Sequence, residues 1–159
     1  TIKESRKKRF NLFLRLSYAD KTPNIKIEIN RRAFGSRFEL KSHLGIAMLV
    51  MTQADMTAHK LVALYERIGK ANRDMFDSWF FLERGWPINS AIIEQRPGHP
   101  MKIFLDQCIN AIEKLPDRGI LAGMGELLDA KQKTWAKTHL KSDLLFLLRA
   151  KREASSLPR

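Results

Sequence analysis

The hydrophobic positions of this 159-residue chain change their period once, near residue 52. Before it, "FNLFLRLSYAD" and "NIKIEINRR" are short runs rich in Ile, Leu, Phe and Tyr, divided by the turn-forming "DKTPN". That pattern predicts an antiparallel hairpin. Ile25, Ile27 and Ile29 alternate with Lys26, Glu28 and Asn30, so one face is expected to be buried and Glu28 to project from the other. "SRFELKSHLGIAMLVM" is expected to supply a third strand, alternating at first and continuously apolar later.

From Thr52 the period approaches 3.6, with Leu61, Leu64, Tyr65 and Ile68 on one stripe and Gly69 placed to end a helix. Asn72 is the expected N-cap of a second helix, which carries Phe76, Trp79, Phe80 and Leu82 and stops at Gly85. "INSAIIEQR" predicts a short helix. Met101, Phe104, Leu105, Cys108, Ile109, Ile112 and Leu115 predict a longer one, ended by "PDRG". The remainder predicts one or two helices, the last through "DLLFLLRA", with a frayed "KREASSLPR" end. The fold class is therefore α+β: a small antiparallel sheet (residues 1–51) followed by a helical bundle (residues 52–159), folded as one compact unit.

Composition narrows the partners. The chain holds 29 Lys and Arg against 17 Asp and Glu, a net charge of +12, which favours polyanions such as nucleic acid or nucleotide. The single cysteine, Cys108, falls among apolar helical positions and reads as a buried thiol. Four scattered histidines offer no zinc spacing, and "LGIAMLVM" is far short of a membrane span. No charged-then-apolar leader opens these residues, so the expected compartment is the cytoplasm, without membrane contact.

Candidate chemistry lies beside the apolar stripes. Lys60 and Arg67, seven apart, project about 20° from one another and flank the first stripe. They read either as snorkelling side chains that cover apolar surface or as a basic line that holds phosphates. Asp74 and Asp77 share a face of the second helix. Asp74 is explained by the helix macrodipole alone, and Asp77 by pairing with Arg73 or Arg84; jointly they could also position a base, a metal or an arginine. Glu28 reads as a solvated strand carboxylate paired with Lys26, or as a metal-binding acid fixed on a strand.

"AHKLVALYER" followed by "RDMFDSWFFLERGWPIN" resembles the AbiEii/AbiGii family of nucleotidyltransferase toxins, and "GMGELLDAKQKTWAK" with "LLFLLRA" looks like the tail of such proteins. The resemblance covers most of the chain after about Phe38. It implies membership of the DNA polymerase beta-like nucleotidyltransferase superfamily, with magnesium as cofactor, a nucleoside triphosphate as donor, and an acceptor that can be RNA, including tRNA. A cognate antitoxin is a further implied partner. Lys60 matches the family's essential lysine, Asp74 and Asp77 the acids of its last motif, and Glu28 the superfamily's third strand carboxylate as a metal ligand. Arg67 and Arg73 are expected to help Lys60 neutralise the triphosphate. The family's Gly-Ser and Asp-x-Asp motif is absent: Gly35-Ser36 is followed by "RFELKSHLGI". The chain therefore looks like the C-terminal portion of a nucleotidyltransferase, inactive alone, whose exposed sheet edge would invite dimerisation. Two other readings compete. One is a basic, non-catalytic module that binds RNA or a partner; the other is an interaction protein using Trp79, Phe80, Phe81 and Trp86 as an interface, although large aromatics at helical spacing usually fill a core.

Overall fold

A computed structural model describes residues 1–18, 23–70, 72–124 and 127–155. Two compact units divide at Phe34/Gly35. The first is a three-stranded antiparallel sheet of β1 (Ile2–Lys7), β2 (Asn11–Leu16) and β3 (Ile25–Asn30), in that order. β2 and β3 form the hairpin that the alternation predicts; most of the connecting "DKTPN" lies outside the described residues. Register places Leu12 opposite Ile29, Leu14 opposite Ile27 and Leu16 opposite Ile25, so aliphatic side chains gather on one face.

That face differs from expectation. Ile25, Ile27 and Ile29 remain 43%, 37% and 47% exposed rather than buried. A sheet of three short strands has no second layer of its own to cover one face. β1 is also new relative to the sequence reading. After Ile2 its "IKESRK" is polar on both faces, so no alternation marks it, and it is held by pairing with β2 and by Glu4, which meets Arg6 at 2.7 Å and Arg15 at 3.7 Å.

The second unit opens on a two-stranded hairpin, β4 (Phe38–His43) and β5 (Ile46–Met51), where a single strand was expected. Leu44 and Gly45 turn between them with φ of 51° and 78°. Two successive positive φ values match the type I′ turn, which usually signals itself as Asn-Gly; a leucine at the first position hides it. Six helices follow among the described residues: α1 (Gln53–Glu66), α2 (Arg73–Glu83), α3 (Ser90–Gln95), α4 (Met101–Glu113), α5 (Ala130–Thr138) and α6 (Leu140–Ala154). The fold is α+β, as the change of period predicts. The end of "KREASSLPR" lies outside the described residues.

The hydrophobic period changes at Met51/Thr52, but the chain divides earlier because the β4 entry is tied to α1. Thr52 N–H donates to Arg37 O at 3.0 Å, and Arg37 N–H donates to Asp55 Oδ2 at 2.6 Å. The apolar stripes do what their spacing requires. Leu61 and Leu64 of α1, Leu82 of α2, Phe104 and Leu105 of α4, and Leu144 and Leu148 of α6 are all buried in one core. Burying each such side chain contributes about 1.5–3 kcal/mol before entropy is counted. Cys108 is buried with them, and burial pushes its thiol up to about 12. Trp79 only packs against the core's margin, and Phe80, Phe81 and Trp86 are likewise part-exposed.

Candidate functional site: an ion-paired cluster between two helices

Helices α1 and α2 pack side by side, so charged residues flanking their stripes face one another. Lys60 and Arg67, on one line of α1, both reach Asp74 of α2. Lys60 Nζ lies 3.4 Å from Asp74 Oδ1 and 2.9 Å from Asp77 Oδ2. Arg67 Nη2 donates to Asp74 Oδ1 at 3.0 Å and lies 2.9 Å from Oδ2. Arg73 Nε is 3.6 Å from Asp77 Oδ2, one helical turn away. Of the two arginines expected to pair with Asp77, Arg73 does so, beside Lys60; Arg84 sits over the Phe80 ring instead, 3.3 Å from its centroid.

Three cations therefore converge on two carboxylates, leaving a local excess of one positive charge. Burial is uneven. The Asp74 side chain is 5% exposed, whereas those of Lys60, Arg67 and Arg73 are 27%, 53% and 61% exposed. Asp74 occupies the first turn of α2, where the macrodipole favours an acid. Its Oδ2 has no well-aligned hydrogen bond and is shut off from solvent, although Arg67 stands at ion-pair distance. Asn72 precedes it at the N-cap position but does not cap: its backbone is helical, and its side chain donates to Gly119 O at 2.8 Å.

A second polar line on α1, made of Asp55, His59 and Glu66, went unread in the sequence. The carboxylate of Asp55, wholly buried, accepts from Arg37 N–H, from Asn89 Nδ2 at 2.7 Å and from Arg37 Nη2 at 3.3 Å. Burial pushes its carboxyl up, yet the bonds from Arg37 and Asn89 and the Arg37 charge outweigh that and hold it below the usual range. His59 bridges Ser36 Oγ at 2.6 Å and Arg96 Nη1 at 3.1 Å, and Arg96 in turn meets Glu66 at 3.2 Å. Burial, and then the Arg96 charge, push the His59 imidazole down. A guanidinium can only donate, so neutral His59 accepts at Nδ1 and carries its proton on Nε2, which donates to Ser36. Ser36 therefore has no base at that nitrogen. The signal that could have found this line is its spacing: positions 55, 59 and 66 fall within about 40° in helical projection.

Glu28 stands in the first unit, exposed, with Lys26 Nζ 2.9 Å from its Oε2. The Lys26 hydrogen bond, then its charge, hold the Glu28 carboxyl below its ordinary value. No family model, curated protein or solved structure matches the chain. No helix among the described residues is long and apolar enough to cross a membrane.

A magnesium ion, which the family resemblance implies, finds no fitting donor set in these residues. Asp74 and Asp77 turn their oxygens toward Lys60, Arg67 and Arg73, and Glu28 is a lone carboxylate already facing an ammonium.

Proposed function

We propose that the α1/α2 cluster is the triphosphate-binding part of an AbiEii-like nucleotidyltransferase. The supporting observation is the meeting of Lys60, Asp74 and Asp77, the residues on which the resemblance rests, with Arg67 and Arg73 added by the same two acids. Buried Asp74 fixes the heads of Lys60 and Arg67 before any ligand arrives, so the site does not have to order them on binding. The excess positive charge suits a polyphosphate. In nucleotidyl transfer an acceptor hydroxyl attacks the α-phosphate in line, the bond to the β-phosphate breaks and pyrophosphate leaves. Lys60, Arg67 and Arg73 neutralise the charge that gathers on the leaving pyrophosphate, while Asp74 and Asp77 orient these cations. RNA or tRNA is the proposed acceptor class.

The test is transfer of α-³²P label from each of the four nucleoside triphosphates to total RNA by the protein as its native source makes it. Lys60→Ala is expected to abolish labelling and leave the thermal midpoint within a few degrees. Normal turnover by that variant sinks the assignment.

A further inference from the structure

The excess charge of the chain is not spread evenly. Residues 1–34 hold 10 Lys and Arg against 3 Asp and Glu, so they carry +7 of the +12. On the sheet, these cations are interleaved with aromatic rings. Phe10, 40% exposed, lies in the β1–β2 turn with Arg9 5.1 Å and Arg32 5.4 Å from its centroid. Arg31 N–H donates to Phe10 O at 2.7 Å, which brings the end of β3 to the same turn. Lys7, Lys8, Arg9, Arg31 and Arg32 thus share one end of the sheet, and neither 5–19 nor 29–38 contains an acid.

Phe13 continues the strip on the face opposite the aliphatic one. Arg6, Lys26 and Arg15 stand 4.9, 5.5 and 5.8 Å from its ring centroid. A concavity of about 220 Å³ joins turn and face, lined by Arg6, Lys8, Asn11, Phe13, Lys26 and Glu28. Within that lining, Asn11 Oδ1 is buried without a hydrogen-bond partner. Glu4 and Glu28 also occupy this face, but each is paired with a cation of the strip.

We infer that the β1–β3 sheet binds single-stranded nucleic acid, with bases stacking at Phe10 and Phe13 and phosphates running along the basic turn. A groove that tracks the backbone with cations and offers π-faces to successive bases is the physical requirement for such binding. A membrane surface would use the charge but has no need of rings held between guanidinium groups. Duplexes would use the charge and hide their bases. The inference stands apart from the helical cluster, and neither depends on the other.

The test is fluorescence anisotropy of the full chain with a labelled twelve-nucleotide oligouridylate and with the matching oligodeoxythymidylate, over a series of salt concentrations. Arg9→Gln/Arg32→Gln is expected to flatten the plot of log affinity against log salt by about 1.4, since each lost phosphate contact removes about 0.7. Phe10→Leu/Phe13→Leu is expected to weaken binding about tenfold or more without changing that slope. Phe10→Tyr/Phe13→Tyr, which restores the rings, is expected to restore affinity. Equal affinity for a blunt duplex with no loss in the leucine variant would overturn stacking and leave charge alone. Tighter binding to vesicles of 30% phosphatidylserine than to either oligonucleotide would place a membrane there instead, and an unchanged slope in the glutamine variant would overturn the path of the phosphates along the basic turn.

Discussion

The helical bundle and the N-terminal sheet use their apolar residues in opposite ways. Every fully buried apolar side chain among the described residues lies between Ala58 and Leu148 in the helical bundle, while the N-terminal sheet leaves its β3 isoleucines about two-fifths exposed. Charge follows the reverse order: the sheet's 34 residues carry +7, and the 125 residues after them carry +5. The helical unit has the interior needed to hold a buried carboxylate, and it places Asp74 there beneath solvent-facing cations. The sheet offers exposed rings and guanidinium groups. One region suits a small, highly charged ligand held at fixed points, and the other suits an extended polyanion.

The strongest challenge to this contrast is a pair of core substitutions. Phe104→Ala should destabilise the helical unit by about 3–5 kcal/mol, whereas Leu14→Ala, on a half-covered sheet, should cost about 1 kcal/mol or less, both read from urea unfolding. Equal costs would mean that the sheet has an interior of its own. Next in size is Asp74→Asn, which strips a buried charge from Lys60 and Arg67 and should cost about 1–3 kcal/mol. That figure is reduced from the deep-interior value because both cations reach water. Asp77→Asn, more exposed, should cost about 0.5–1 kcal/mol.

Acidity separates the two polar lines of α1. The His59 pKa falls on folding from its ordinary 6.5, so its neutral form is required, and stability is full above that pH. Stability then declines as pH drops below 6.5 and levels off under the folded value. His59→Gln should remove this decline from a pH series of thermal midpoints. Asp55 acts in a lower window: its carboxyl is depressed from 3.8, so its contribution is present above that value and lost as pH falls through the folded one. The smallest effect is expected at Arg84→Ala, about 0.5–1 kcal/mol for the lost contact with Phe80.

The legible parts of the sequence were those with one consistent period. α1, α2 and α4 follow from Leu61/Leu64, Leu82 and Phe104/Leu105 because a single stripe faces one core. β1 was illegible because its side chains after Ile2 are polar on both faces, and the β4–β5 turn because Leu44 adopts a conformation usually left to Asn or Gly. Burial of Ile25, Ile27 and Ile29 does not follow from alternation, which marks a face but not what lies against it. In the candidate site, spacing set Lys60 beside Arg67 and Asp74 beside Asp77. That the two pairs meet required α1 and α2 to pack, which no local pattern states. Asn72 shows the converse: the right residue at a cap position can be drawn to a distant carbonyl instead.

The most direct measurement is isothermal titration calorimetry of nucleoside triphosphate into the purified chain, with Lys60→Met and Arg9→Gln/Arg32→Gln alongside. The account predicts saturable binding that Lys60→Met abolishes and the sheet variant leaves intact. Binding unchanged by Lys60→Met, or lost only with Arg9 and Arg32, would contradict the assignment of the triphosphate to the helical cluster.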